Sequence, residues 1–258
     1  MLGALLESGI TPDLIVGTSI GALNGAAIAA DPTIAGVGRL TELWRDVNAS
    51  GVFASSLLRS VGTLARTRTH LQSSAGLRRL LEAHVPVALI EDLPVRFECV
   101  AASIERAEEH WFASGSLVEA VLASAAVPGI MAPVRIDGEH FIDGGIVNSI
   151  PVSRAVQLNA ATIYVCHVGR IDGKLRVPRR PLEVGLVAFE IARRHRFHTD
   201  MAGLPDDVAV HVLPTGDLEP PRYDSLANLR YRDFSRLQGR VEAARGATLR
   251  YLDSVPGR

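Results

Sequence analysis

Cysteine is nearly absent: 258 residues hold two, Cys99 and Cys166. That excludes a disulfide scaffold. Both lie in apolar, strand-like runs and read as reduced core residues, which predicts a cytosolic protein. Aromatic residues make up 5%, too few for a surface that stacks on bases. Net charge is −1, so no bulk basicity favours nucleic acid and none is expected as a partner. Lysine is scarcer still, since Lys174 is the only lysine among 27 basic residues. The arginine excess reads either as codon bias or as a preference for the better phosphate and carboxylate ligand. A long hydrophobic run is also missing. Leu14 to Ala30 is uncharged but is interrupted by Gly17, Thr18, Ser19, Gly21, Asn24 and Gly25. It falls short of the ~20 apolar residues that a membrane span needs and predicts a buried strand followed by a helix. The opening MLGALLESGI has no basic region and no small-residue cleavage site, which predicts no secretory signal.

What is present is a core-forming composition, 47% hydrophobic and 21% charged, expected to form a single domain over residues 1–258. Gly9 follows a short helical tail, and Leu14-Ile15-Val16 is a short apolar strand. Ala22 to Ala30 is a small-residue helix. Helical spacing recurs at 37–48, 76–84, 116–126, 151–158, 182–198 and 232–253. Strands are predicted at 95–103, 109–113, 133–136, 140–142, 162–168 and 208–213. Residues 50–75, rich in Ser, Arg and Thr, read as short helices in a flap. Alternation of strands and helices predicts an α/β layer fold with a mainly parallel sheet.

Two short motifs carry chemistry. Gly17-Thr18-Ser19-Ile20-Gly21 is a G-x-S-x-G pentapeptide between an apolar strand and a helix, the setting of a nucleophile elbow. A Cβ at Gly17 or Gly21 is expected to crowd the strained turn. Ser19 is then a nucleophile at a helix N-terminus, where the helix dipole favours alkoxide character. The competing reading is a serine that merely caps the helix. The second motif is Asp143-Gly144-Gly145, after the short strand His140-Phe141-Ile142. It reads either as a plain turn or as a base loop in which Gly144 and Gly145 let the backbone approach Ser19 and leave the carboxylate free.

Together with their surroundings, the two motifs resemble the patatin-like phospholipases. The matching text runs from Ala4 through Leu5-Leu6-Glu7-Ser8-Gly9 and Leu14-Ile15-Val16 to Gly17–Asn24. It resumes at Ala123-Ser124-Ala125-Ala126-Val127-Pro128-Gly129, Pro133, Asp143-Gly144-Gly145 and Pro151-Val152. The resemblance implies a three-layer α/β/α fold and a Ser–Asp dyad, with Ser19 as nucleophile and Asp143 as base. It implies hydrolysis of fatty-acyl esters of lipids through an acyl-enzyme, with no cofactor and no metal. An aspartate serves such a serine only if a dry pocket raises its pKa; Ile20, Val127, Ile130, Met131 and Ile146 are the expected apolar lining. One family feature is missing. The glycine-rich stretch whose backbone N–H groups form the oxyanion hole has no counterpart here, and Gly3 is the only glycine before Gly9. The oxyanion donors are therefore unassigned, and the domain is expected to lack its first strand and oxyanion loop, with the natural start upstream of Met1.

Four further readings are weighed. A lipid- or partner-binding relative with impaired chemistry follows if the oxyanion hole is truly lost. A Ser-Asp-His triad of the α/β-hydrolase kind uses Ser19, Asp143 and His211, although the alternating run around His211 favours a structural histidine. His195 and His198, three apart on a helix, lack a convincing third metal ligand. The stretch 170–198 is rich in basic residues and reads either as a solvated face or as a patch for anionic headgroups at a membrane periphery.

Overall fold

The structure, a computed structural model, describes residues 1–50, 74–128, 130–167, 174–175, 177–179, 181–216 and 237–255. Most of the expected flap, 51–73, lies outside them. The chain divides into two compact units, Pro12–Pro151 and a second one made of Met1–Thr11 with Val152–Arg258.

The first unit carries both motifs. Its sheet contains β1 (Leu14–Thr18), β2 (Arg96–Ser103), β3 (Glu108–Phe112), β4 (Val134–Ile136) and β5 (Glu139–Asp143). The central strand β2 is almost wholly buried. Parallel to it lies β1, Leu14 opposite Arg96 through Thr18 opposite Val100. β3 is antiparallel, from Cys99 opposite Phe112 to Ser103 opposite Glu108. β5 is also antiparallel, Ala101 opposite Asp143 through Ser103 opposite Phe141, and β4 pairs with β5. A strand has two edges. β3 overlaps the stretch of β2 used by β1 and also the stretch used by β5, so it occupies one edge alone. β1 and β5 therefore share the other edge end to end. Because β5 runs antiparallel, its last residue, Asp143, arrives beside the C-terminal end of β1. That register brings the two motifs together.

Among the described residues this unit has the α-helices α2 (Ile20–Ala30), α3 (Ile34–Ser50), α4 (Ala75–His84) and α5 (Leu117–Ser124). α2 and α5 pack on the sheet and on each other. α2 approaches closely because Gly25 has no side chain; a Cβ there would stand 2.9 Å from Ile15 and 3.1 Å from Phe97. Ala22, Leu23, Ala26, Ile28 and Ala29 bury the sheet-facing side, and Leu117, Val121 and Leu122 do so for α5. Leu14–Val16 are only half-buried, since β1 has a strand partner on one edge only among the described residues.

The second unit holds α1 (Leu2–Glu7), α6 (Val152–Gln157), β6 (Thr162–Val165), α7 (Pro181–Ala202), β7 (Ala209–Val212) and α8 (Leu237–Ser254). β6 and β7 pair in parallel. α1 packs on α8, where Leu5, Leu213 and Leu252 form a small core and Arg245 pairs with Glu7. The expected α/β class holds. Its parallel pairing is found at β1–β2 and β6–β7, and the short strands β3, β4 and β5 add antiparallel pairing, as hairpin-length links allow. Cys99 is buried as expected, and burial pushes its thiol pKa up. Cys166 is not a core residue: it follows the last residue of β6 and is exposed.

Candidate active site

Ser19 lies between β1 and α2 with φ 55° and ψ −121°. A non-glycine residue at such angles is held against a cost of roughly 1–3 kcal/mol. Gly17 makes the turn possible, because a Cβ there would lie 2.7 Å from both the Ala22 Cα and the Gly21 carbonyl oxygen. Gly21 differs from its expected role. It stands in the first turn of α2 with nothing within 4 Å of a Cβ position, so the turn does not require it. Ser19 occupies the N-cap position yet makes no capping bond with its side chain. Its hydroxyl donates instead to Asp143 Oδ2 at 2.6 Å.

Asp143 ends β5 and is 3% exposed. Its other oxygen, Oδ1, accepts the Gly145 N–H at 2.8 Å and so caps a single 3-10 turn, Gly144–Ile146. One carboxylate oxygen thus caps the turn and the other accepts the Ser19 hydroxyl. Gly144 is obligatory: a Cβ would stand 2.1 Å from the Val100 carbonyl oxygen. Burial raises the Asp143 pKa to about 6, against the lowering effect of the bonds from Ser19 and Gly145. Of the expected apolar lining, Met131 is buried, Ile20, Val127 and Ile130 are half-buried, and Ile146 is 37% exposed.

Three contacts around the pair were not anticipated as functional. The Ser19 N–H donates to Ser124 Oγ at 2.9 Å. The Asp143 N–H donates to the Ala126 carbonyl at 2.9 Å. Thr18 Oγ1 donates to the Asn148 carbonyl at 2.8 Å. Ser124 and Ala126 lie in a run of small residues at a helix end, and only that feature marks them in the sequence.

Ser19 and Asp143 meet directly, with no histidine between them. His211 in β7 shares a hydrogen bond of 3.1 Å between Nδ1 and Tyr251 Oη and stacks on Tyr164 at 4.9 Å, the satisfied structural histidine expected from its strand. His195 and His198 are exposed on α7, and no cluster of three metal-ligating side chains occurs among the described residues. In the basic stretch, Arg193 and Arg194 pair with Glu190, and Arg196 with Asp200. No helix among the described residues is long and apolar enough to cross a membrane.

The family model for patatin-like phospholipases matches residues 1–156. A lysophospholipase, nte1, of Aspergillus terreus is 29% identical over 180 residues, covering 67% of this chain and 11% of the relative. An uncharacterized NTE family protein of Mycobacterium tuberculosis is 31% identical over 199 residues, 76% of this chain and 51% of its own length. A patatin-like phospholipase domain-containing protein of Caenorhabditis elegans is 31% identical over 174 residues, 67% of this chain and 12% of the relative. The chain thus spans half the length of the mycobacterial relative and about a tenth of the other two. Ser19 and Asp143 both fall within the matched residues, and the chain belongs to the patatin-like phospholipase family.

Proposed function

We propose that the protein hydrolyses fatty-acyl esters of lipids with Ser19 as nucleophile and Asp143 as general base. The observation that carries this reading is the 2.6 Å bond from Ser19 Oγ to a buried carboxylate whose pKa stands near 6. A serine hydroxyl needs an adjacent base, and a base works best when its pKa lies near the working pH. The Asp143 carboxylate takes the Ser19 proton as Oγ forms a bond to the ester carbonyl carbon. The tetrahedral intermediate collapses, the C–O bond to the alcohol breaks, and the alcohol leaves with the proton from Asp143. Water then attacks the acyl-Ser19 ester, giving its proton to Asp143, and the fatty acid departs as the proton returns to Ser19. The lysophospholipase name of the Aspergillus relative favours a lysophospholipid as substrate. A peripheral association with lipid is supported by Val177, Val184 and Ile191, which are exposed in and just before α7.

Ser19→Ala and Asp143→Asn should each abolish release of nitrophenol from a short-chain nitrophenyl ester, and a fluorophosphonate probe should label Ser19 in the wild type. Full activity in either variant would overturn the dyad. A wild-type protein that binds lysophospholipid but neither turns over the ester nor takes the probe would speak for a lipid-binding relative instead.

A further inference from the structure

The end of α5 holds both members of the dyad. Ser124, its last residue, is fully buried, and its Oγ accepts the Ser19 N–H. Two residues later the Ala126 carbonyl accepts the Asp143 N–H. Both bonds are 2.9 Å, one from the last residue of α5 and one from just beyond it, and α5 packs on β2, β4 and β5. The Ser19 N–H needs such a partner. At the N-cap of α2 it precedes the helix's own ladder, and its backbone angles depart from those of strand and helix alike. A buried N–H without an acceptor is rare in folded proteins, so the Ser124 hydroxyl supplies what the strained turn cannot.

We infer that Ser124 is a positioning residue for the Ser19–Asp143 pair: it fixes the Ser19 peptide so that Oγ faces Oδ2. This rests on the dyad reading above. Ser124 holds the amide of the nucleophile and leaves its hydroxyl free for Asp143. Loosening that amide lets Ser19 drift from the carboxylate, and a misplacement of about 1 Å can cost roughly 10²-fold in rate.

The test compares wild type, Ser19→Ala and Ser124→Ala in the full chain, with three readouts. The first is kcat and KM on a short-chain nitrophenyl ester. The second is the rate of fluorophosphonate labelling. The third is titration of the Asp143 carboxyl carbon by NMR, which needs no turnover. Ser124→Ala should lose about 10- to 100-fold in kcat and in labelling rate, with KM within about twofold, because the lost contact acts on the chemical step. Its Asp143 should titrate at higher pH than in the wild type, since the bond from Ser19 holds that pKa down. A purely structural defect leaves the titration of the folded fraction unmoved. Should Ser124→Ala fail to fold, the near-isosteric Ser124→Cys, whose sulfur is a weak acceptor, is expected to show the same changes to a smaller degree. Wild-type kcat together with an unmoved Asp143 titration in the folded variant overturns the inference. Activity retained in Ser19→Ala overturns the dyad instead, and an inactive wild type whose Asp143 titration still rises in Ser124→Ala leaves the positioning role standing while the hydrolase reading fails.

Discussion

Asp143 is where chemistry and stability pull in opposite directions. Burial pushes its carboxyl pKa up to about 6 in the fold, against 3.8 for an ordinary aspartate. The folded state therefore holds this proton more tightly than the unfolded chain. Stability from this group is greatest below the unfolded value. It declines as pH rises from about 4 to about 6, and above that the buried charge is a standing cost. The proposed catalysis needs the opposite form, since only the carboxylate can accept the Ser19 proton. The acid limb of kcat/KM should accordingly rise through a midpoint near the folded value, about 6; a midpoint close to 4 would show that Asp143 is not the base. Asp143→Asn removes the charge while preserving shape. It should be inactive yet more stable than wild type at pH 8, by up to about 3 kcal/mol for a carboxyl raised to about 6. The gain should vanish below pH 4. Urea denaturation at the two pH values reads both parts.

At the scale of elements, the glycines separate into required and dispensable. Gly17→Ala and Gly144→Ala each drive a Cβ into backbone, at 2.7 Å and 2.1 Å, and such overpacking costs about 1–3 kcal/mol or more. Both should show a lower urea midpoint or fail to accumulate as soluble protein. Gly21→Ala meets open space in the first turn of α2 and should leave stability unchanged or raise it by up to about 1 kcal/mol through helix propensity. The pentapeptide alone makes the two flanking glycines look equivalent. They are distinguished by which one lies under the start of the helix, and that depends on the path of the chain after Ser19. Strand and helix positions were legible because apolar runs and helical spacing survive without tertiary context. The predicted strand 95–103 is β2 at Arg96–Ser103, and the predicted helix 116–126 is α5 at Leu117–Ser124. Pairing was less legible, because β3, β4 and β5 are three to five residues long and such strands carry no mark of direction.

For the molecule as a whole, the proposed reaction on lipid esters calls for contact with a lipid surface. The basic stretch 170–198 was the sequence's reason for a membrane-facing patch; Arg170, Arg176 and Arg180 lie outside the described residues, and Arg193, Arg194 and Arg196 are bonded to Glu190 and Asp200 within α7. Exposed Val184 and Ile191, two turns apart on α7, are the better reason. The double substitution Val184→Asp with Ile191→Asp should weaken sedimentation with phosphatidylserine vesicles by several-fold. It should leave hydrolysis of a soluble nitrophenyl ester unaltered. Equal sedimentation of wild type and variant would remove α7 from the contact.

The sequence by itself determined the class of the fold and the family, and it singled out Ser19 and Asp143 as the pair to propose. Gly17–Gly21 and Asp143–Gly145 are local signals, each written in a few adjacent residues whose backbone demands show in their side chains, or in the want of them. Only the tertiary structure decided how the two meet. Asp143 stands beside Ser19 because β1 and β5 share one edge of β2, and a ladder register between segments more than a hundred residues apart leaves no trace in either. The pKa of Asp143, raised by burial among residues scattered along the chain, and the hold of Ser124 on the Ser19 amide belong to the same class. Both are properties of proximity, which exists only once the chain has folded.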